Sequence, residues 1–189
     1  MNRQYTIGIS IALIALIVLG RALPHVPNFA PVAASALLAG YLFRSRLVAI
    51  AVPLLGMLIS DALIGMYDWR VMAFVYAGLA IPALLGRLLR SETPAFKAAW
   101  MRPLVRVGKL AGAATGSALV FFLVSNFGVW AAEGMYAHTA QGLAICYTVA
   151  IPFLKSSLSA DLLFSGMLFG AYQAASHLVA RRAAATVKA

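Results

Sequence analysis

Apolar residues run along this chain in long blocks, and polar residues gather between the blocks instead of alternating with them. Neither the two-residue period of a half-buried strand nor the one-sided stripe of a surface helix dominates. Blocks apolar on every side predict helices enclosed by protein or lipid. Six stand out, at Tyr5–Gly20, Pro31–Phe43, Leu47–Gly65, Val71–Gly86, Gly108–Val124 and Asp161–Val179, each bounded by charge, proline or a polar cluster. Several are shorter than the roughly 20 apolar residues that a lone crossing helix needs, so they must extend into their flanks or lie inside a compact bundle. A further block, Gln141–Phe153, reads either as a seventh span or as a re-entrant or surface-lying piece ended by Pro152.

Composition turns this pattern into a fold class. Of 189 residues, 63% are hydrophobic and 11% charged, and the mean hydropathy of +0.91 lies outside the soluble range. No polar segment is long enough for a separate domain, so the expectation is one all-α membrane domain over residues 1–189. The first block, with Arg3 before it and small residues at Gly20 and Ala22, also has the look of a signal peptide, and is read as a retained first helix.

Charge chooses between the span counts. With six spans and both termini cytoplasmic, Lys and Arg divide 12 to 3 in favour of the cytoplasmic side, leaving only Arg21, Arg70 and Lys155 outside. A seventh crossing at Gln141–Phe153 worsens the division to 10 against 5. Six spans is therefore the expectation, with residues 125–159 forming a partly helical external cap. The net charge of +10 is spread between apolar runs, without a basic face interleaved with aromatics, which argues against nucleic acid. The stretch around Arg87, Arg90, Glu92, Lys97, Arg102, Arg106 and Lys109 is explained by anionic lipid headgroups, with docking of a partner protein as the lesser reading.

The polar residues point to chemistry at the external side. Four of the five acids, Asp61, Asp68, Glu133 and Asp161, fall there, joined by Arg21, His25, Asn28 and a set of aromatic and amide side chains. The candidate ligand-binding residues are Asn28, Asp61, Tyr67, Asp68, Trp69, Asn126, Trp130, Tyr136, His138 and Tyr147. Carboxylates and amides would orient polar groups and the rings would stack. Each has a plainer alternative: Asp61 as an ion pair with Arg21 or Arg70, Asp161 as a helix-starting residue after "KSSLS", and the rings as an interfacial belt. His25 and His138 lack metal-ligand spacing, and Cys146 stands alone, so no metal and no cofactor is expected. Small residues recur four apart at Gly8/Ala12, Ala36/Gly40, Gly112/Gly116 and Gly166/Gly170, a spacing that lets helices approach closely.

Enzyme signatures do not assemble. Lys97, Arg102 and Pro103 carry the letters of a membrane phosphatase motif at too short a spacing, "LFSG" around Ser165 lacks the first glycine of an intramembrane serine protease, and no P-loop is present.

The segments "RALPHVPNFAPVAASALLAGY", "ISDALIGMYDW", "VYAGLAIPALLG", "SNFGVW", "MYAHTAQGLAICYTVAIPF" and "DLLFSGMLFG" resemble, over nearly the whole chain, a family of small bacterial membrane proteins of unassigned function. That family in turn is similar to the substrate-binding S-components of energy-coupling-factor (ECF) vitamin transporters. The resemblance implies a six-helix protein of the bacterial inner membrane that takes up a vitamin, cofactor precursor or similar metabolite from outside. It also implies docking of an energising module on the first helix, where Gly8 and Ala12 stand for the usual small-residue pair. Cobalamin-type S-components carry a cobalt-binding cysteine after the third helix, and here that place holds Tyr67, Asp68 and Trp69. Two other expectations stand beside transport: an accessory subunit whose cap binds a protein, and an enzyme at the external interface.

Overall fold

The structure, a computed structural model, describes residues 3–24, 26–91 and 101–187, with side chains as far as Arg181. His25, Glu92 and Lys97 lie outside the described residues. Six helices follow in order: α1 (Arg3–Ala22), α2 (Val32–Leu42), α3 (Arg46–Ile64), α4 (Trp69–Leu88), α5 (Met101–Ala132) and α6 (Ala140–Val187). Five of them are long and apolar enough to cross a membrane, and α2, with 11 residues, is the short one.

Helix α2 organises the rest. It touches every other helix, and the others meet in the sequence α1, α3, α4, α5, α6 around it, with no close approach of α1 and α6 among the described residues. Residues Val32 to Gly40 are all buried, the behaviour expected of a helix that is apolar on every side. The loop between α1 and α2 spans the remaining gap: Ser156 Oγ donates to the Pro27 carbonyl at 2.6 Å, and the Phe29 and Phe164 rings stand 5.6 Å apart.

Glycine sets the closest approach. A Cβ on Gly40 would overlap the Ala83 carbonyl, and a Cβ on Gly86 would overlap the Leu37 carbonyl, so α2 and α4 press backbone on backbone. Of the four small-residue pairs, only Ala36/Gly40 packs in this manner. Gly8, Gly112, Gly166 and Gly170 would meet nothing, and Gly116 only the distant end of Leu85. Arg90 closes the C-terminus of α2, donating to the carbonyls of Gly40 and Tyr41 at 2.7 Å each and to that of Phe43. A cation on the negative end of a helix is favourably placed there.

The expected cap at residues 125–159 is corrected by the structure. Helix α5 continues to Ala132 and α6 begins at Ala140, so only residues 133–139 connect them. Gln141–Phe153 is the first part of a 48-residue helix that carries Pro152 within it. That continuous helix leaves no place for the reversal a seventh span would require. The two helices run together here: Tyr147 Oη donates to the Leu123 carbonyl at 2.8 Å, Cys146 Sγ to that of Asn126 at 3.4 Å, and Tyr147 stacks on Phe122.

Candidate functional site

One cavity of about 320 Å³ collects residues from all six helices. It lies where α1 ends, α2 begins, α3 ends and α4 begins. Arg21, Asn28, Val32, Ala33, Met57, Ile64, Tyr67, Val75, Leu79, Phe121, Ser157 and Asp161 line it, with Ala30. Its walls are therefore mainly apolar, with a few polar groups converging on them, the usual make-up of a small-molecule site.

Arg21 enters from the last turn of α1 and is held by α3. Its Nη1 lies 2.6 Å from Asp61 Oδ1 and donates to Ser60 Oγ at 2.5 Å and to the Met57 carbonyl at 3.4 Å. Asp61 is 0% exposed. Its Oδ2 accepts from Tyr76 Oη at 2.8 Å, while Oδ1 takes the ion pair without an aligned hydrogen bond. Of the two partners expected for Asp61, the structure gives Arg21. Burying such a pair is tolerable only because its remaining polar atoms are engaged.

Helix α6 contributes Asp161 and, one turn earlier, Ser157 to the lining; they are 5% and 7% exposed. Asp161 is the twenty-second residue of α6, counting from Ala140, and so does not start a helix as "KSSLS" suggested. Among the described residues, neither its carboxylate nor the Ser157 hydroxyl has a hydrogen bond or ion pair. At its top the cavity meets the N-terminus of α2, whose Pro31 cap supplies no side-chain acceptor.

The ten predicted residues divide. Asn28 and Tyr67 line the cavity, and Asp61 stands behind the wall as the partner of Arg21. Asn28 holds φ +60°, a backbone conformation that asparagine tolerates better than most residues. Burial and the nearby Asp61 charge push the Tyr67 phenol up to about 12. Asp68 caps α4 through the Arg70 amide and pairs with the Arg70 guanidinium at 2.8 Å, which holds its carboxyl down to about 2. Trp69 is 75% exposed.

The other five sit on the α5–α6 hairpin, outside the cavity lining. Asn126 Nδ2 donates back to the Phe122 carbonyl at 2.8 Å. Trp130 Nε1 donates to the Ala137 carbonyl at 3.0 Å and packs edge-on against His138. Tyr147 joins the two helices as described, and Tyr136 lies half-buried in the connection. Arg21, Ser157 and Asp161 were absent from the predicted set. The signal for Asp161 was an acid followed directly by the apolar run "LLFSGMLFG".

Among the described residues no three of His, Cys, Asp and Glu come together.

The match to a family model now has a structure to stand on. Residues 1–185 match the model described as "Family of unknown function (DUF6580)". The chain belongs to the DUF6580 family. Comparison with curated proteins and with solved structures returns no match. Family membership thus covers the cavity and every element around it.

Proposed function

We propose that this DUF6580 member is a substrate-binding membrane transport protein of the ECF S-component kind, which takes a small metabolite into the cavity between its six helices. The observation that carries the reading is the cavity itself. Its volume of about 320 Å³ lies at the low end of the range for small-molecule sites, ~300–1,000 Å³. Every helix contributes to it, so occupancy bears on the packing of the whole bundle. The uneven division of Lys and Arg supports a position for the cavity on the external side. The outer face of α1 is free for an energising module: Gly8 and Ala12 are exposed, and a Cβ on Gly8 would meet nothing.

The test is a thermal-unfolding screen of the detergent-purified protein against water-soluble vitamins, nucleosides and cofactor precursors. A true ligand should stabilise the wild type and Trp130→Ala alike, because Trp130 is outside the cavity, and should lose at least about tenfold in affinity on Tyr67→Ala. Loss on Trp130→Ala alone would move the site to the α5–α6 hairpin. No stabilising metabolite, with a stoichiometric protein partner in the preparation, would replace transport by the accessory-subunit reading.

A further inference from the structure

Among the described residues the cavity lining holds two ionisable acid–base side chains of opposite sign, Arg21 and Asp161, and only Arg21 is matched. Arg21 is committed to Asp61, Ser60 and the Met57 carbonyl. Asp161 is 5% exposed, lines the cavity and meets no donor among the described residues. A carboxylate in such surroundings is unfavourable unless a cation or hydrogen-bond donors reach it. Among the described residues no side chain supplies either, and the space in front of it is large enough for a molecule that does.

We propose that Asp161, with Ser157 one helical turn before it, is the anchor for a protonated nitrogen, and that the cavity selects small organic monocations with an aromatic or apolar body. The inference rests on the cavity being a ligand site. Charge sets the sign: the Arg21–Asp61 pair is neutral as a unit, so among the described residues Asp161, once ionised against a bound cation, gives the lining its one unmatched negative charge. Geometry sets the class. A hard metal ion would need several oxygen ligands, and among the described residues no cluster of three metal-binding side chains exists. A single carboxylate beside one hydroxyl suits an ammonium or a protonated ring nitrogen, which donates to both. Tyr67 and Phe121 complete the lining with ring surface, which attracts a cation by its negative face and covers an apolar body. The Ser157–Asp161 spacing of four residues puts both groups on one face of α6, so a single donor head can span them.

Three probes of one shape separate charge from fit: tryptamine, which is cationic, tryptophol, which is neutral, and indole-3-acetate, which is anionic. Tryptamine should raise the unfolding temperature of the full-length protein in detergent, and the other two should not. Asp161→Asn keeps the shape of the side chain and should weaken tryptamine binding by about tenfold or more, abolishing the preference for the cation. Ser157→Ala should weaken it less. Binding is compared only on monodisperse, helical preparations, and Ser157→Ala supplies the answer if Asp161→Asn does not fold. Equal stabilisation by tryptophol or indole-3-acetate, unchanged tryptamine binding in the variants, or no response to tryptamine would each overturn the inference. If the metabolite screen succeeds while tryptamine is silent, the cation preference falls alone; if both are silent, the ligand-site reading falls with it.

Discussion

Arg21 joins two roles at the scale of single residues, since it lines the cavity and closes the α1–α3 contact through a carboxylate that has no water access. Removing Asp61 would leave the guanidinium, itself largely buried, without its counter-charge, and breaking a buried pair in this way costs about 3–5 kcal/mol. Asp61→Ala should therefore lower the thermal stability sharply. Arg21→Leu/Asp61→Leu, which removes both charges, should recover most of the loss. A double variant no more stable than Asp61→Ala in detergent unfolding would show that the pair is not coupled. From sequence alone, Asp61 was recognisable as an expensive acid near the end of an apolar block, with Arg21 as one of its two candidate partners. The packing of α1 against α3 decided between them, because partner choice depends on helix register, which no local pattern records.

At the scale of elements, the tightest constraint is the crossing of α2 and α4. Gly86→Val would place side-chain atoms on the Leu37 carbonyl, a backbone group that cannot move aside as a flexible side chain would. The expected cost is about 1–3 kcal/mol. Gly8→Val, whose new side chain meets open space, should leave the unfolding temperature nearly unchanged. Equal effects at the two positions would count against the close crossing. The first four blocks were legible to within two residues, the proline-bounded short span that became α2 among them. The last two were misread for one physical reason. "SNFGVW" and "KSSLS" look like loops because serine, asparagine and glycine favour turns in water. Here Ser125 Oγ and Asn126 Nδ2 donate to the Phe121 and Phe122 carbonyls, and Ser159 Oγ donates to that of Lys155. Such i−4 bonds satisfy the polar side chains within the helix itself, so α5 and α6 continue through segments that read as interruptions. That misreading hid Asp161 as well, by making it a helix start instead of a mid-helix acid facing a cavity.

For the molecule as a whole, apolar composition fixed the class and charge asymmetry suggested which end faces out, whereas the meeting of residues more than a hundred positions apart emerges only on folding. Pro27 with Ser156 is one such pair, and Arg21 with Asp161 in the lining of one cavity is another. The enclosed position of α2 has a consequence for how the chain is made. Its 11 residues span about 16 Å, roughly half of a ~30 Å hydrocarbon core, so it has no stable crossing of its own when it leaves the ribosome. It must wait for α3 and α4, which are synthesised after it, before its final depth is set. A cysteine at Ala39, the only one in chains that end before Cys146, should react with a water-soluble maleimide in chains truncated after Ser45 and carried clear of the ribosome by a polar linker, and be protected in chains truncated after Ser91 with the same linker. Equal protection at both lengths would mean that α2 settles without its neighbours. Otherwise the centre of this bundle is the last part of its first half to find its place, and biogenesis runs from the rim inward.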